Sequence, residues 1–340
     1  MAFRDMLVDL HEVEDSISVM HGMIDTSNKM GDVPLLFNKI EEAPGHRAAL
    51  NALERSRLCE MFDISPGDLI DVLAWAMENP SEPEVVDPSE APVMQSGQME
   101  VDLTKIPIPW HFREDGGRYQ SASMIIAQYD DIRNVSIHRQ LLRDNNHTVA
   151  RFVPRHLRTI STQAADSGEE VPIAVVNGAD PTVLLAAAMS FSDYVDELTV
   201  ASSLHKKLHG TPLKVVFLPN GVMVPADAEY AMEARITMER DDEGPYVDIT
   251  GTVDDIRQEH VIEYDRVHHR VDPIFHALIP TGIEHRTLMG MPRAPTIKNS
   301  VSKVVECVDV HMTDGGCGWL SSVVQIIPKK EGDGLSLIHI

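Results

Sequence analysis

Cysteine is scarce in this 340-residue chain: Cys59, Cys307 and Cys317 are far apart and form no CxxC pair. That spacing excludes a disulfide framework and a thiolate zinc site, and it fits a reducing compartment. Cations are also few, 29 Lys plus Arg against 53 Asp plus Glu, for a net charge of −24. A field of that sign repels phosphate backbones and anionic membranes, so no nucleic-acid partner is expected. An anionic substrate has to be gathered by local cations against it. No long apolar run exists; the longest, Val183 to Met189, is far too short to span a bilayer. The N-terminal MAFRDMLVDLHEVEDS sets acids into every apolar turn and gives no signal-peptide h-region. A soluble cytoplasmic protein, not an integral membrane one, is the expectation. Although there are 16 histidines, no HExxH occurs, which argues against a metallohydrolase.

Apolar residues make up 43% and charged residues 24%, ordinary for a globular protein of two or three domains. Residues 1 to about 79 read as mainly helical, with HRAALNALERSRLCEMF (46–62) at helical spacing and Ser65-Pro66-Gly67-Asp68 opening a further helix. Prolines and acids between Asn79 and Pro92 predict a linker, with a boundary near residue 95. Then the texture turns to β-prone runs: 123–129, 134–142, 171–176, 213–218 and 245–253. Asp180-Pro181 caps one helix between them, and Val195 to Leu208 forms another. Pro219-Asn220-Gly221 predicts a hairpin turn. The middle of the chain is therefore α+β with a largely antiparallel sheet or barrel. Beyond residue 297, two strands flank Asp314-Gly315-Gly316. The closing Leu335 to Ile340 (LSLIHI) is expected to be non-native, at the end of a truncated reading frame.

Four stretches carry candidate chemistry. In RNVSIHR (133–139), Asn134, Ser136 and His138 alternate with apolar residues, which puts three hydrogen-bonding groups on one strand face. The plain alternative is the wet side of a half-exposed strand. His156, after Val153-Pro154-Arg155, stands at a strand-to-helix junction, where a surface role is equally available. Glu197 opens a helix, where charge on the helix dipole is explanation enough. Together, Asn134, His156 and Glu197 offer an oxygen-rich, thiolate-free set suited to manganese or magnesium. Arg139 is fit to hold a carboxylate bidentately. Glu243 and Asp248, around the Gly244-Pro245 corner of DDEGPYVDITG, form a candidate acid–base pair whose mutual repulsion sets them apart. Asn134 and Arg139 are an odd number apart, so Asn134 is expected to precede the strand or sit at a bulge.

The order of these motifs resembles the UbiD family of non-oxidative (de)carboxylases. The resemblance runs through VDLTKIPI (101–108), EDGGRY (114–119), RNVSIHR, PRH (154–156), VDEL (195–198), VPADAEYAMEA (224–234), EGPYVDITG (243–251) and HHRVDPIFHALIP (268–280). It covers roughly residues 30 to 334, and EHRTLMGMPRAPTI with DGGCGW is similar to a mainly archaeal-type branch. The resemblance implies a small N-terminal α/β domain (1–95), a split β-barrel, flavin-reductase-like domain (96–296), and the start of a C-terminal α/β domain (297–340). It implies prenylated FMN held through Asn134, Ser136, Ile137, Arg139, Arg155, His156 and Glu197. Asn134, His156 and Glu197 match the ligands of Mn2+ (or Mg2+), and K+ accompanies it. Arg139, Glu243 and Asp248 match the catalytic group. The implied reaction is reversible decarboxylation of an aromatic or α,β-unsaturated acid through a covalent prenylated-FMN adduct. The substrate would be a 4-hydroxybenzoate-type acid or a phosphorylated mevalonate-derived one. A separate UbiX-type flavin prenyltransferase would supply the cofactor, and the full-length protein would be a homo-oligomer. Ala234 stands where the family usually has glycine, read as a local backbone difference. The alternative is a flavin-binding accessory or storage protein, which would not need Arg139, Glu243 and Asp248.

Overall fold

The computed structural model describes residues 2–335, apart from Met99, Asp131, Ser192 and Asp193. Of the LSLIHI segment, only Leu335 lies within the described residues. A nine-stranded sheet organises the chain. Its path runs Tyr119–Gln120, Gln140–Leu142, His147–Ala150, Arg257–His269, Tyr230–Glu243, Val171–Asn177, Met124–Tyr129 and Ile132–Ile137. Ser96–Gln98 adds to the 257–269 strand, and the neighbours are all antiparallel. Ile132–Ile137 ends this path, whereas Gln140–Leu142 lies near its opposite end. Only His138 and Arg139 separate the two in sequence. Three extended steps span about 10 Å, so the sheet must curl until its ends nearly meet. This is the expected split barrel, and Arg139 occupies the split.

Alternating side chains bury both faces of the sheet. Ile125, Ala127, Ile173 and Val175 join one core, while Met124, Ile126, Ala174 and Val176 join the other. The helices Pro181–Ala188 and Glu197–His209 contribute to the second core, and His156–Asp166 to the first. Asp180 caps its helix as expected, Oδ1 accepting from Thr182 N at 2.8 Å. The Pro219-Asn220-Gly221 turn joins the antiparallel strands Lys214–Phe217 and Met223–Pro225.

Three readings of the sequence are corrected. The N-terminal stretch is not mainly helical: His11–Ile17, Leu35–Ile40 and Arg47–Leu50 form a sheet completed by Ile274–His276. Residues 47–50 have helix-forming composition, but Ala48, Ala49 and Leu50 are fully buried, and tertiary burial overrides propensity. Asn51, at φ 57°, turns the chain before the helix Arg55–Met61. The supposed linker contains Glu84–Val85, paired in parallel with Lys214–Phe217. Residues 245–253 are not one strand but a small hairpin, Tyr246–Val247 against Val253–Asp254, turned at Gly251 with φ 78°. At the C-terminal end, Glu306–Met312 and Ser322–Ile327 pair antiparallel as expected.

One buried carboxylate ties the small sheet to the following helix. Glu284, 1% exposed, accepts from Leu53 N (2.9 Å), Asn51 N (3.0 Å) and the His276 ring (2.9 Å). Glu284→Ala is expected to lower unfolding free energy by about 2–5 kcal/mol, because it strands buried donors. A urea midpoint shift that, multiplied by an unchanged m, amounts to less than about 0.5 kcal/mol would contradict this.

Candidate active site

The Asn134 strand is an edge of the sheet, and its outward amides need partners. Glu197, the first residue of its helix and 4% exposed, supplies one. Its Oε2 accepts from Val135 N (2.8 Å) and its Oε1 from Asn134 Nδ2 (2.9 Å). Asp196 caps the helix and pairs with Arg133. Among the described residues Glu197 itself has no cationic partner. Burial therefore pushes its carboxyl up to about 8, with Asp196 adding and the Val135 and Asn134 hydrogen bonds opposing.

Asn134, Ser136 and His138 do share a face, as their alternation required. His138 Nδ1 lies 2.9 Å from the Arg151 carbonyl, which can only accept, so Nδ1 carries the proton. Burial holds the ring down to about 4, hence neutral, and Nε2 is an acceptor. The Ser136 hydroxyl lies 2.9 Å from that nitrogen and 2.9 Å from Asn134 Oδ1, with one proton to give. Asn134 Oδ1 and the two Glu197 oxygens are buried acceptors with no cation paired to them among the described residues, chemistry that suits a divalent ion. Asn134 does not precede the strand; it pairs with Ala127 inside it. The parity break falls instead at Arg139, beyond the strand end.

His156 is the first residue of its own helix, which packs against the same edge strand. Its ring packs tilted against Tyr194 with centroids 4.5 Å apart, and no hydrogen bond among the described residues joins it to Asn134 or Glu197. Ile137 packs half-buried on the helical core. Arg155 reaches Ser190 Oγ at 3.4 Å, and its charge bears on Arg293. Arg293 stacks on Trp319 at 3.3 Å, and its buried Nε has no partner. Burial, then Arg155, pulls Arg293 down to about 10. Two arginines in mutual repulsion, with no carboxylate paired to either among the described residues, suit a phosphate or other anion.

At the split of the barrel, Arg139 is held on three sides. Glu243, fully buried at the end of its strand, accepts from Nε (2.8 Å) and Nη2 (2.9 Å). Asp254 meets Nη1 at 3.0 Å, and the guanidinium lies 4.4 Å from the Tyr246 ring centroid. Glu243 takes two of the five N–H groups and Nη1 faces Asp254, so N–H groups on the terminal nitrogens are left to donate to a carboxylate. Tyr119 packs on Tyr246 at 4.6 Å, and burial raises both phenols far above their ordinary range. Asp248 is half-buried; its Oδ1 accepts from Ile249 N (2.7 Å), and its charge acts on His285, which burial holds down to about 4. Arg139 takes up Glu243, whereas Asp248 has no ion pair among the described residues, and both carboxylates bear on the Tyr246 phenol. Asp254, Tyr246 and Arg293 escaped the sequence reading. The hairpin that carries Asp254 back to Tyr246 is the signal that was missed. Lys206 and Lys207 are exposed, the latter over Trp75.

The family profile described as UbiD, 3-octaprenyl-4-hydroxybenzoate carboxy-lyase Rift-related domain, matches residues 84–283. Anhydromevalonate phosphate decarboxylase of Methanosarcina mazei is 39% identical over 308 residues, 90% of this chain and 70% of that protein. Its counterpart in Methanocaldococcus jannaschii is 34% identical over 325 residues, 93% of this chain and 76% of that protein. An evolved dimeric form of the UbiD-class enzyme HmfF from Pelotomaculum thermopropionicum, with prFMN, superposes at TM-score 0.94 and 30% identity, covering 99% of this chain and 82% of that one. Apo 3,4-dihydroxybenzoic acid decarboxylase of Klebsiella pneumoniae shares the fold at TM-score 0.88 and 20% identity, covering 99% and 78%.

In metal-free protein, the Glu197 carboxyl binds its proton more tightly folded than unfolded. Its contribution to stability is then full below about pH 4.5 and lost as pH rises toward 8. Glu197→Gln is expected to flatten the fall in unfolding free energy between those values, by up to about 1.4 kcal/mol per pH unit. Identical slopes in the two proteins, measured with chelator present, would contradict it.

Proposed function

This chain belongs to the UbiD family and is a UbiD-type carboxy-lyase, and we propose that it decarboxylates a phosphorylated, mevalonate-derived α,β-unsaturated acid. The engagement of Arg139 carries the chemistry: a cradle of Glu243, Asp254 and Tyr246 fixes the guanidinium, and Glu243 takes only two of its five N–H groups. A substrate carboxylate received there is oriented and its charge offset in a site whose global field is hostile to anions. Arg155 and Arg293 suit a phosphate of cofactor or substrate. The archaeal relatives named for anhydromevalonate phosphate support the phosphorylated acid over a 4-hydroxybenzoate-type one, the second reading.

Prenylated FMN, when bound, supplies the sink for the electron pair left as CO2 departs. Asn134 and Glu197, with His156 from the adjoining helix, would hold Mn2+ (or Mg2+), and K+ would accompany it. Ser136 and Ile137 would line the cofactor beside them. The cofactor would come from a UbiX-type prenyltransferase, and a homo-oligomer is the expected assembly. Both oxygens of Glu243 accept N–H bonds from Arg139, which makes it a positioning group for the guanidinium. Asp248, tied by a single backbone N–H within its hairpin, is the better placed to deliver a proton to the substrate carbon once CO2 has left.

The test is anaerobic co-expression of the chain with a flavin prenyltransferase, an absorbance scan, and a panel of phosphorylated and aromatic acids. Asp248→Asn is expected to keep the bound flavin and lose about 10²–10⁴-fold in kcat. Wild-type turnover by that variant would remove Asp248 from proton delivery. Absence of any bound flavin would overturn the cofactor assignment. Turnover confined to the aromatic acids would establish the second reading.

A further inference from the structure

The helix that begins with Glu197 ends with a second cluster that decarboxylation does not use. His205 and His209, four residues apart, project from one face of its last turns. They meet Asp180, the cap of the Pro181–Ala188 helix packed against it. One ligand atom from each of the three lies within 4.8 Å of the others. Asp180 is 1% exposed. Its Oδ1 is consumed by Thr182, while its Oδ2 is buried with no hydrogen-bond partner among the described residues. The His209 Nε2 is buried and equally unmatched. His205 Nδ1 lies 2.7 Å from the Thr211 carbonyl, which accepts its proton and orients the ring. An imidazole oriented through its other nitrogen by a backbone carbonyl is the usual support of a metal-ligating histidine.

We propose that Asp180, His205 and His209 bind a divalent transition-metal ion, with Zn2+ the expected occupant, at a site separate from the Asn134–Glu197 set. Two imidazoles and one carboxylate make a nitrogen-rich donor set that suits zinc, whereas the oxygen-rich set at the other end of the helix suits manganese or magnesium. Ligand atoms on a tetrahedral ion with bonds of 2.0–2.1 Å lie about 3.3 Å apart. The cluster therefore closes by about 1.5 Å on binding, within reach of side-chain rotation at half-buried His209. Three protein ligands leave a fourth position for water. The ion joins the start of one helix to the end of the other, about 12–18 Å along the helix from Glu197.

The test uses the full chain, stripped with chelator and dialysed against Zn2+, and separately Co2+ as a spectroscopic probe. Wild type is expected to bind one equivalent that survives Glu197→Gln, to show tetrahedral Co2+ visible bands, and to melt at higher temperature with Zn2+. Asp180→Asn, which keeps a competent helix cap, and His209→Ala are each expected to weaken that equivalent beyond the about 10–100-fold typical of changing a group that merely hydrogen-bonds a metal ligand. Both are expected to abolish the Co2+ bands and the thermal shift. Wild-type stoichiometry, bands and shift in both variants would overturn the site, as would wild type that binds no such equivalent.

Discussion

A buried arginine held by two carboxylates and a tyrosine ring is the interaction on which the site depends. Arg139 sits where the chain leaves one end of the sheet and joins the other, outside both strands, with its carbonyl tied to Arg151 N at 3.2 Å. Its side chain is fixed by the two-point contact with Glu243 and by Asp254. Removing either a buried anion or its cation leaves the other uncompensated in low dielectric, which costs more than the pair gains. The curl of the sheet and the charge network are thus mutually required. The curl brings 139 to 243, and the ion pair makes the seam a defined place.

The two buried glutamates around that seam are left in opposite electrical states. Glu243 faces a guanidinium; among the described residues Glu197 faces neutral amides, and burial raises its proton affinity. A protein of net charge −24 that concentrates arginine at one point and an unmatched carboxylate at another has separated an anion-receiving place from a cation-receiving one. The proposed function puts the substrate carboxylate at the first of these places and a divalent ion at the second, and the donor chemistry fits that division.

Much of this was legible in the sequence. Strands 124–129, 171–177 and 214–217 and helices 181–188 and 197–209 follow directly from their apolar periods and caps, because burial imposes those periods. The shared face of Asn134, Ser136 and His138 follows from strand alternation alone. What could not be read was long-range. Nothing near Arg139 in sequence announces Asp254 or Tyr246, whose approach requires a hairpin that β-prone residues 245–253 disguise as one strand. Residues 47–50 misled for the converse reason, since alanine and leucine favour a helix until packing on both faces makes them a strand. The family motifs nominated His156 as a ligand beside Asn134 and Glu197; the helix carrying it abuts the right strand, but its ring lies on Tyr194.

The central claim is that Arg139 and Glu243 act as one unit in receiving the substrate carboxylate. A double-mutant cycle on kcat/KM tests it most directly, with Arg139→Ala, Glu243→Gln and the double variant assayed as flavin-loaded protein. The account predicts strong non-additivity, the double variant being little worse than Arg139→Ala alone. Losses that simply multiply would contradict it, since two independent groups would then be at work.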